Sequence, residues 1–442
     1  MVNQTLNQLT GDHLIKSREG IWTASILLLG ICYLASFRMR NFSNFPLIND
    51  GKNPKSQFRT NAKNLIAQGF QKVRSCNNEA TLSSCLEDTW ASCTDWHEVD
   101  LKADVLTFVA RLSSRIFNGE ELTRNEEWLR ISKEYAVNLF IAIRICRIVP
   151  APFRWLVERL LPLCRKVRRD HAAGARILAP ILAGRRAEIA AARQEGREPN
   201  FPDDSIEWFR NASKGRSYND SDIQLGLSIA AIHTTSDLLG QALLNLGAHP
   251  EMMSPLRKEA VEVLGRHGWK KVALAELRIL DSFLKETQRL KPIAMTSMHR
   301  LATADVKLPN GIKIRKGERT AISSHRMWSE SDYNDPETFD GFRFVKRRKL
   351  PGYEHKSHLI STSADHMGFS HGKHACPGRF FAANEVKIAM VHVILKYDLK
   401  LEDPKDASWM THGVNMFVNP KAKISIRRRE EKIDMDSLVT EE

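Results

Sequence analysis

One stretch of eleven residues constrains this chain more than any other: Phe369-Ser370-His371-Gly372-Lys373-His374-Ala375-Cys376-Pro377-Gly378-Arg379. It sets a single Cys in a turn-rich loop that runs into an apolar, helix-like segment. Gly372 permits a tight backbone approach and Gly378 a close helix start. A thiolate there is stabilised by backbone N–H groups and by the positive end of the helix dipole. Iron held by one thiolate gains electron density that favours O–O cleavage. Two other readings fit the same residues. His371, His374 and Cys376 could hold zinc, although a set so close in sequence with no further ligand nearby is a poor tetrahedral one. Cys376 could also be an inert core thiol. The other Cys residues are Cys32, Cys76, Cys85, Cys93, Cys146 and Cys164, an odd total of seven with no CxxC pair. That pattern argues against a disulfide framework or a four-thiolate zinc site and places the fold in a reducing compartment.

The rest of the chain says what that loop is set in. With 442 residues, 42% of them hydrophobic, there is enough apolar surface for a large core. The net charge of +14 is spread along the chain, and no nucleic-acid module signature accompanies it. Residues 60–290 read as mostly helical. Over Glu98–Phe117 the apolar residues Leu101, Val105, Phe108, Val109, Leu112 and Ile116 form a stripe of helical period. Helices are also expected over 128–148, 153–192, 221–247 and 272–290, with a Gly- and Pro-bearing loop over 193–204. Beyond Pro292 the texture changes. Residues 306–314 alternate around Asn310-Gly311, a hairpin signal. A last helix is expected from about Gly378 to Tyr397. The fold class is therefore mainly α with a small β subdomain.

Near the N-terminus, Ile21–Phe37 carries no charge. It is at the short end for a membrane span. Arg38 and Arg40 follow at once, and the bias of positive charge places the body of the protein on the cytosolic side. The expected organisation is a lumenal tail over 1–19, a transmembrane anchor over 20–37, a catalytic domain over 44–427 and a charged, loose C-terminal tail over 428–442. Of the Asn-x-Ser/Thr sites at Asn3, Asn41, Asn211 and Asn219, only Asn3 would then be lumenal and open to glycosylation.

The pattern Phe-x-x-Gly-x-x-x-Cys-x-Gly resembles the haem-binding loop of the cytochromes P450. The resemblance extends upstream in a fixed order. Glu286-Thr287-Gln288-Arg289 matches the Glu-x-x-Arg of that family, and on one helical face Glu286 and Arg289 can pair. Phe342-Arg343-Phe344 matches the segment whose Arg completes a triad with them. Ala230-Ala231-Ile232-His233-Thr234-Thr235-Ser236 matches the helix that passes over the haem, with Thr234 at the proton-relay position and His233 where the family usually has an acid. One motif departs from the family. Trp-x-x-x-Arg, normally on an early helix, occurs only as Trp155–Arg159, too late in the order. The region near 72–87 is shortened by several dozen residues. Phrases such as Ala231–Asp237 and Gly372–Ala382 are similar to those of fungal members acting on terpenoid secondary metabolites.

The resemblance implies a membrane-anchored haem-thiolate monooxygenase of the endoplasmic reticulum, single-pass, with a cytosolic catalytic domain and a lipophilic small-molecule substrate. It implies Cys376 as the axial ligand of haem iron, Phe369, Gly372 and Gly378 around it, and His374 with Arg300 at the propionates. Glu286, Arg289 and Arg343 would hold the cradle, while Thr234 and His233 would serve proton delivery. Electrons would come from an NADPH–cytochrome P450 reductase docking near Lys373, Arg379 and Lys387. A haem-thiolate desaturase, isomerase or ring-forming oxidase, or an inactive truncated member, stays open as an alternative.

Overall fold

The computed structural model describes residues 76–90, 92–431, 433–435 and 438. The expected lumenal tail, the anchor, Asn3 and the first residues of the shortened region, 72–75, lie outside the described residues. In chain order the elements are α1 (Cys76–Trp90), β1 (His97–Val99), α2 (Leu101–Asn118), α3 (Glu126–Ile148), α4 (Arg154–Leu160), α5 (Pro162–Glu195), α6 (Ser205–Ser213) and α7 (Asp220–Ala248). There follow α8 (Met253–His267), α9 (Lys271–Glu276), α10 (Arg278–Leu290), β2 (Thr296–Leu301), β3 (Val306–Lys307), β4 (Lys313–Ile314) and β5 (Arg319–Ser323). The chain closes with α11 (Arg343–Arg348), α12 (Arg379–Lys396), β6 (Tyr397–Leu401), β7 (Trp409–His412), β8 (Asn415–Val418) and β9 (Ile424–Arg428). Among the described residues, 137–170 form one compact unit, and the flanking stretches together form another that holds the site described below. No helix of the described residues is long and apolar enough to cross a membrane.

The helical reading is met, with three local differences. The helix expected from Glu98 starts at Leu101, because His97–Val99 pairs antiparallel with β9 and Asp100 then caps α2 by accepting from the Ala103 N–H at 3.0 Å. The helix expected over 153–192 breaks at Leu161, which is extended ahead of Pro162 as residues before proline prefer. The helix expected over 272–290 breaks at Leu277. There the Glu259 carboxylate, from α8, accepts from the N–H groups of Ile279 and Leu280 at 2.7 and 2.9 Å. A tertiary cap thus starts α10 where the local residue types signal no start.

The β content differs from a single late subdomain. It is a three-stranded sheet of order β1-β9-β6 and three two-stranded ladders, β2-β5, β3-β4 and β7-β8. The hairpin around Asn310-Gly311 is present as β3 and β4. The C-terminal tail also departs from expectation. Met435 is buried in the main core, and Trp269 Nε1–H donates to its carbonyl at 3.2 Å, so part of the tail packs down.

The main core gathers α1, α2, α7, α8, α10 and α12 with β6 and β9. Helix α1, which covers most of the shortened region, is anchored there by Leu82, Leu86 and Trp90, and Trp90 Nε1–H donates to Asp104 at 2.8 Å. Burial of apolar side chains on this scale is the main stabilising term. Helix α7 runs through the core and packs against α2, α10 and α12. That places its middle, residues 230–238, beside the start of α12 and hence beside Cys376.

One buried acid in this frame has a measurable consequence. Glu385 on α12 is buried, accepts from Ser113 Oγ–H at 3.0 Å through one oxygen, and leaves the other without a partner. Burial pushes its carboxyl up to about 8 from an ordinary 4.5. The folded chain therefore keeps a proton that the unfolded chain releases above pH 4.5, so this group lowers stability progressively from that pH to about 8. Glu385→Gln, which keeps an acceptor for Ser113, should flatten that loss. Urea unfolding midpoints at both ends of the interval should fall less in the variant than in the parent chain.

Candidate active site

The Cys loop is held by its own backbone and by α10. Ser370 and Gly372 take positive φ values of 59° and 68°, which fold the chain back on itself. The Cys376 N–H then donates to the Phe369 carbonyl at 2.8 Å and the Ala375 N–H to Gly372 at 3.0 Å. Gly368 is required just before the loop. A Cβ there would lie 2.2 Å from the Gln288 side chain of α10. Gln288 is in turn fixed by a 3.1 Å hydrogen bond with His366. Arg379, at the start of α12, donates to the Cys376 carbonyl at 3.0 Å and to Ile360 at 3.1 Å, which pins the loop to the helix it feeds.

Burial pushes the Cys376 thiol up, against the pull of the Gly378 and Arg379 backbone N–H groups and the Arg379 charge. The expected stabilisation by the helix start is therefore present in the geometry but is outweighed by desolvation. Of the residues in the alternative zinc reading, His371 is turned to Thr362 at 3.0 Å. Among the described residues no group of three His, Cys, Asp or Glu side chains is placed to hold a metal ion.

Cys376 opens into a cavity of about 430 Å³, within the range of cofactor and ligand sites. Its walls come from three directions in the sequence. Ala230, Ala231 and Thr234 present one face of α7; Phe369, His374, Cys376 and Gly378 present the loop; Pro292, Ile293 and Ala294 present the segment after α10. Phe117 and Phe381, with ring centroids 5.4 Å apart, close one side. The lining is mostly apolar, with small side chains on α7. Thr234 is exposed towards this space, and its hydroxyl donates to the Ala230 carbonyl at 2.9 Å and lies 3.3 Å from that of Ala231.

Below the cavity sits a buried ion network. Arg289 donates through Nε and Nη2 to the two oxygens of Glu286, both at 2.8 Å, and through Nη1 to the Met327 carbonyl at 2.7 Å. Arg343 Nε reaches Glu286 at 3.0 Å, and its Nη atoms hold the carbonyls of Asn334, Asp335 and Thr338. Glu286 and Arg289 are fully buried. The network ties α10 to the loop before α11 and does not line the cavity.

Three sequence expectations need correction. His233 does not share the cavity with Thr234: it is off the lining face of α7 and its Nε2 lies 2.7 Å from the Lys133 carbonyl. Burial lowers its pKa, which disfavours the protonated form. Arg300 is exposed on β2, donates to its neighbour's His299 carbonyl at 2.7 Å, and is not among the cavity residues. Lys387 is buried, with its ammonium 2.7 Å from Asp281 and 2.8 Å from the Leu274 carbonyl, so it offers no docking charge. Arg379 is half-buried against backbone carbonyls, which leaves Lys373 as the exposed member of that trio.

Among the lining residues to which sequence reasoning gave no role are Thr235, Asp237, Gln288 and Lys291. Asp237 and Lys291 are paired with each other. Their signal was present in the motifs already singled out, one turn beyond Thr234 and two residues beyond Arg289.

The family is settled by comparison with known proteins. The model of the family described as "Cytochrome P450" matches residues 34–428. This chain belongs to the cytochrome P450 family. Relatives include the fungal cytochrome P450 monooxygenases esdpI of Penicillium shearii, 45% identical over 80% of this chain and 68% of that protein, and hepE of Aspergillus oryzae, 45% identical over 80% and 64%. Cytochrome P450 monooxygenase 1 of Gibberella fujikuroi is 42% identical over 79% of each chain. This chain thus spans about two thirds to four fifths of these relatives. Among solved structures, a retinoic acid-bound cyanobacterial CYP120A1 superposes with a TM-score of 0.63 at 18% identity, covering 83% of this chain and 78% of that one. The P450 fold is thereby shared.

With the family come haem as prosthetic group and oxidoreductase chemistry. The donor set here fits that group. One soft thiol opens into the cavity, and among the described residues no three His, Cys, Asp or Glu side chains gather to compete for a metal, as suits an iron already held by a macrocycle. The flanking Phe117, Phe369 and Phe381 and the small Ala230 and Ala231 suit a flat apolar body.

Proposed function

We propose that this chain is a membrane-anchored haem-thiolate monooxygenase that oxidises a terpenoid intermediate of fungal secondary metabolism. The observation that carries it is the Cys376 thiol opening into the same apolar cavity as the Thr234 face of α7. Bound haem would supply reductive activation of dioxygen. The chain's own residues do the rest. Cys376 would ligate the haem iron, and Gly378 with Arg379 direct backbone N–H groups and charge at its sulfur. Phe369 packs beside it, and His374, exposed among the lining residues, would pair with a propionate.

Thr234 holds its hydroxyl proton on the Ala230 carbonyl, with Ala231 within reach. A threonine back-bonded in this way can rotate to hand a proton into the cavity and take one up again. Thr234→Ala should therefore lower product formed per NADPH consumed by about 10²-fold or less, the lower end for a general acid–base group, while leaving haem content unchanged. Product quantified against NADPH consumption reads this directly, and unchanged coupling would remove Thr234 from proton delivery.

The uncharged run over 20–37 supports an anchor, with residues 1–19 and Asn3 on the lumenal side of the endoplasmic reticulum. The catalytic domain then spans 44–427 and faces the cytosol, where an NADPH–cytochrome P450 reductase delivers electrons. The terpenoid reading rests on phrases such as Ala231–Asp237 and on the apolar cavity lining. Microsomes containing the chain and its reductase, fed terpenoid precursors under isotopically labelled dioxygen, test the proposal. Label in the product marks oxygen insertion. An oxidised product without label marks a desaturase or ring-forming oxidase instead.

A further inference from the structure

We propose that Cys146 and Cys164 are a peroxide-sensitive thiol pair that closes reversibly into a disulfide joining α3 to α5. Both lie in the compact unit of residues 137–170, and both are free thiols. Cys146 sits near the end of α3 and Cys164 near the start of α5. Their side chains share a hydrogen bond, which puts the sulfur atoms in contact across the connection between the helices. The other cysteines of the described residues face other groups. Cys85 is hydrogen-bonded to Arg111 and Thr89, Cys93 turns to the Asp95 carbonyl at 3.6 Å, and Cys376 lines the cavity.

Three arginines hold the connection that carries the pair. Arg154 Nε–H donates to the Val149 carbonyl at 3.0 Å, Arg165 Nη2–H to the Leu160 carbonyl at 2.7 Å, and Arg168 Nη1–H to the Glu158 carbonyl at 3.0 Å. The sulfur atoms therefore meet because the connection is folded, not because loose segments collide. Unequal exposure divides the roles. Cys146 is half-buried and Cys164 buried. A peroxide-sensing thiol needs access to solvent and a resolving thiol beside it, which is this arrangement. Burial pushes the Cys164 thiol up, which shields it from direct oxidation, while the nearby Arg168 charge favours its thiolate when it attacks.

Hydrogen peroxide is the oxidant. The Cys146 sulfur takes one peroxide oxygen, the O–O bond breaks, and water leaves as a sulfenic acid forms. The Cys164 sulfur then displaces that hydroxyl. The S–S bond forms and a second water leaves with the thiol proton. The thiols are oxidised by an electron each, and the peroxide is reduced to water. Glutathione reverses the bond by thiol–disulfide exchange and ends as its own disulfide. A reversible bond of this kind suits a reducing compartment, where permanent disulfides are rare. When closed it fastens α3 to α5 and opposes local opening of the connection over 149–161.

The test treats the haem-loaded full chain briefly with hydrogen peroxide, stops the reaction with catalase, blocks free thiols with iodoacetamide and digests with trypsin without reduction. Cleavage after Arg144, Arg147, Arg159 and Arg165 releases the cysteines on the short peptides Ile145–Arg147 and Leu160–Arg165. Mass spectrometry should find these joined, at least about ten-fold more abundant than any other cysteine–cysteine peptide of the chain, since groups held in contact react as one molecule. Glutathione added before the blocking step should return both peptides to their separate, blocked forms. In Cys164→Ser the joined peptide should vanish, and dimedone should trap Cys146 as the sulfenic acid. A parent chain in which other cysteines oxidise while Cys146 and Cys164 stay separate would overturn the pair. So would a joined peptide no more abundant than chance pairings, or one that glutathione leaves intact. The parent chain decides these points even if the serine variant fails to fold.

Discussion

Cys376→Ala should abolish the thiolate-type carbon monoxide difference spectrum of the reduced protein completely, while Cys85→Ala and Cys164→Ala leave it in place. Cys376 is the described cysteine that lines the cavity; Cys85 and Cys164 are buried elsewhere. Removing the sulfur leaves the loop itself intact, because its hydrogen bonds run through backbone atoms of Phe369, Gly372, Ala375 and Cys376. The variant should therefore fold, and its loss of signal would report the ligand and not the scaffold. Far-ultraviolet circular dichroism on the same sample separates the two. A thiolate-type spectrum surviving in Cys376→Ala would sink the assignment.

The second large effect concerns stability. Glu286→Gln should destabilise the fold by about 3–5 kcal/mol, the range for breaking a buried ion pair from one side. Glu286 accepts from Arg289 and Arg343, and from the Asp340 N–H at 3.2 Å. A neutral amide in its place leaves two guanidinium groups, one of them fully buried, with no counter-charge in the network. Because the network ties α10 to the loop before α11, haem retention should fall together with the urea midpoint. A change below about 1 kcal/mol, the scale of an exposed pair, would show that these charges are compensated elsewhere.

Much of the site was legible because its signals are local. The Cys loop, the Glu286–Arg289 spacing and Thr234 each sit in a short motif whose residue types carry the physics. Arg343 was legible only through family likeness, since nothing in its own neighbourhood points to a partner in α10. The error over His233 was avoidable. The α7 residues that line the cavity include 227, 230, 231, 234, 235 and 238, the face of one helical period, and position 233 falls off it. Lys387 misled for a different reason. A lysine in the middle of a helix reads as solvated, and only the tertiary position of Asp281 shows it paired and buried. The break at Leu277 is of the same kind, since its cause is Glu259 on another helix. Pairings such as β1 with β9 join residues 97–99 to 424–426 and leave no trace in either segment alone.

The cavity described above has a consequence for the order of events in the cell. Its lining begins at Phe117 and ends at Ala382, and the ligand-bearing loop lies in the last sixth of the chain. Contacts between residues so far apart are slow to form and need the intervening chain. Until residue 376 has been synthesised, the emerging polypeptide has α7 and its apolar face but no loop to close against it. Haem capture is then an event that follows synthesis, and the open, apolar half-site is exposed to chaperones or to aggregation in the meantime. Supply of the prosthetic group should for that reason matter after synthesis of residue 376, when the half-site on α7 can close against the loop.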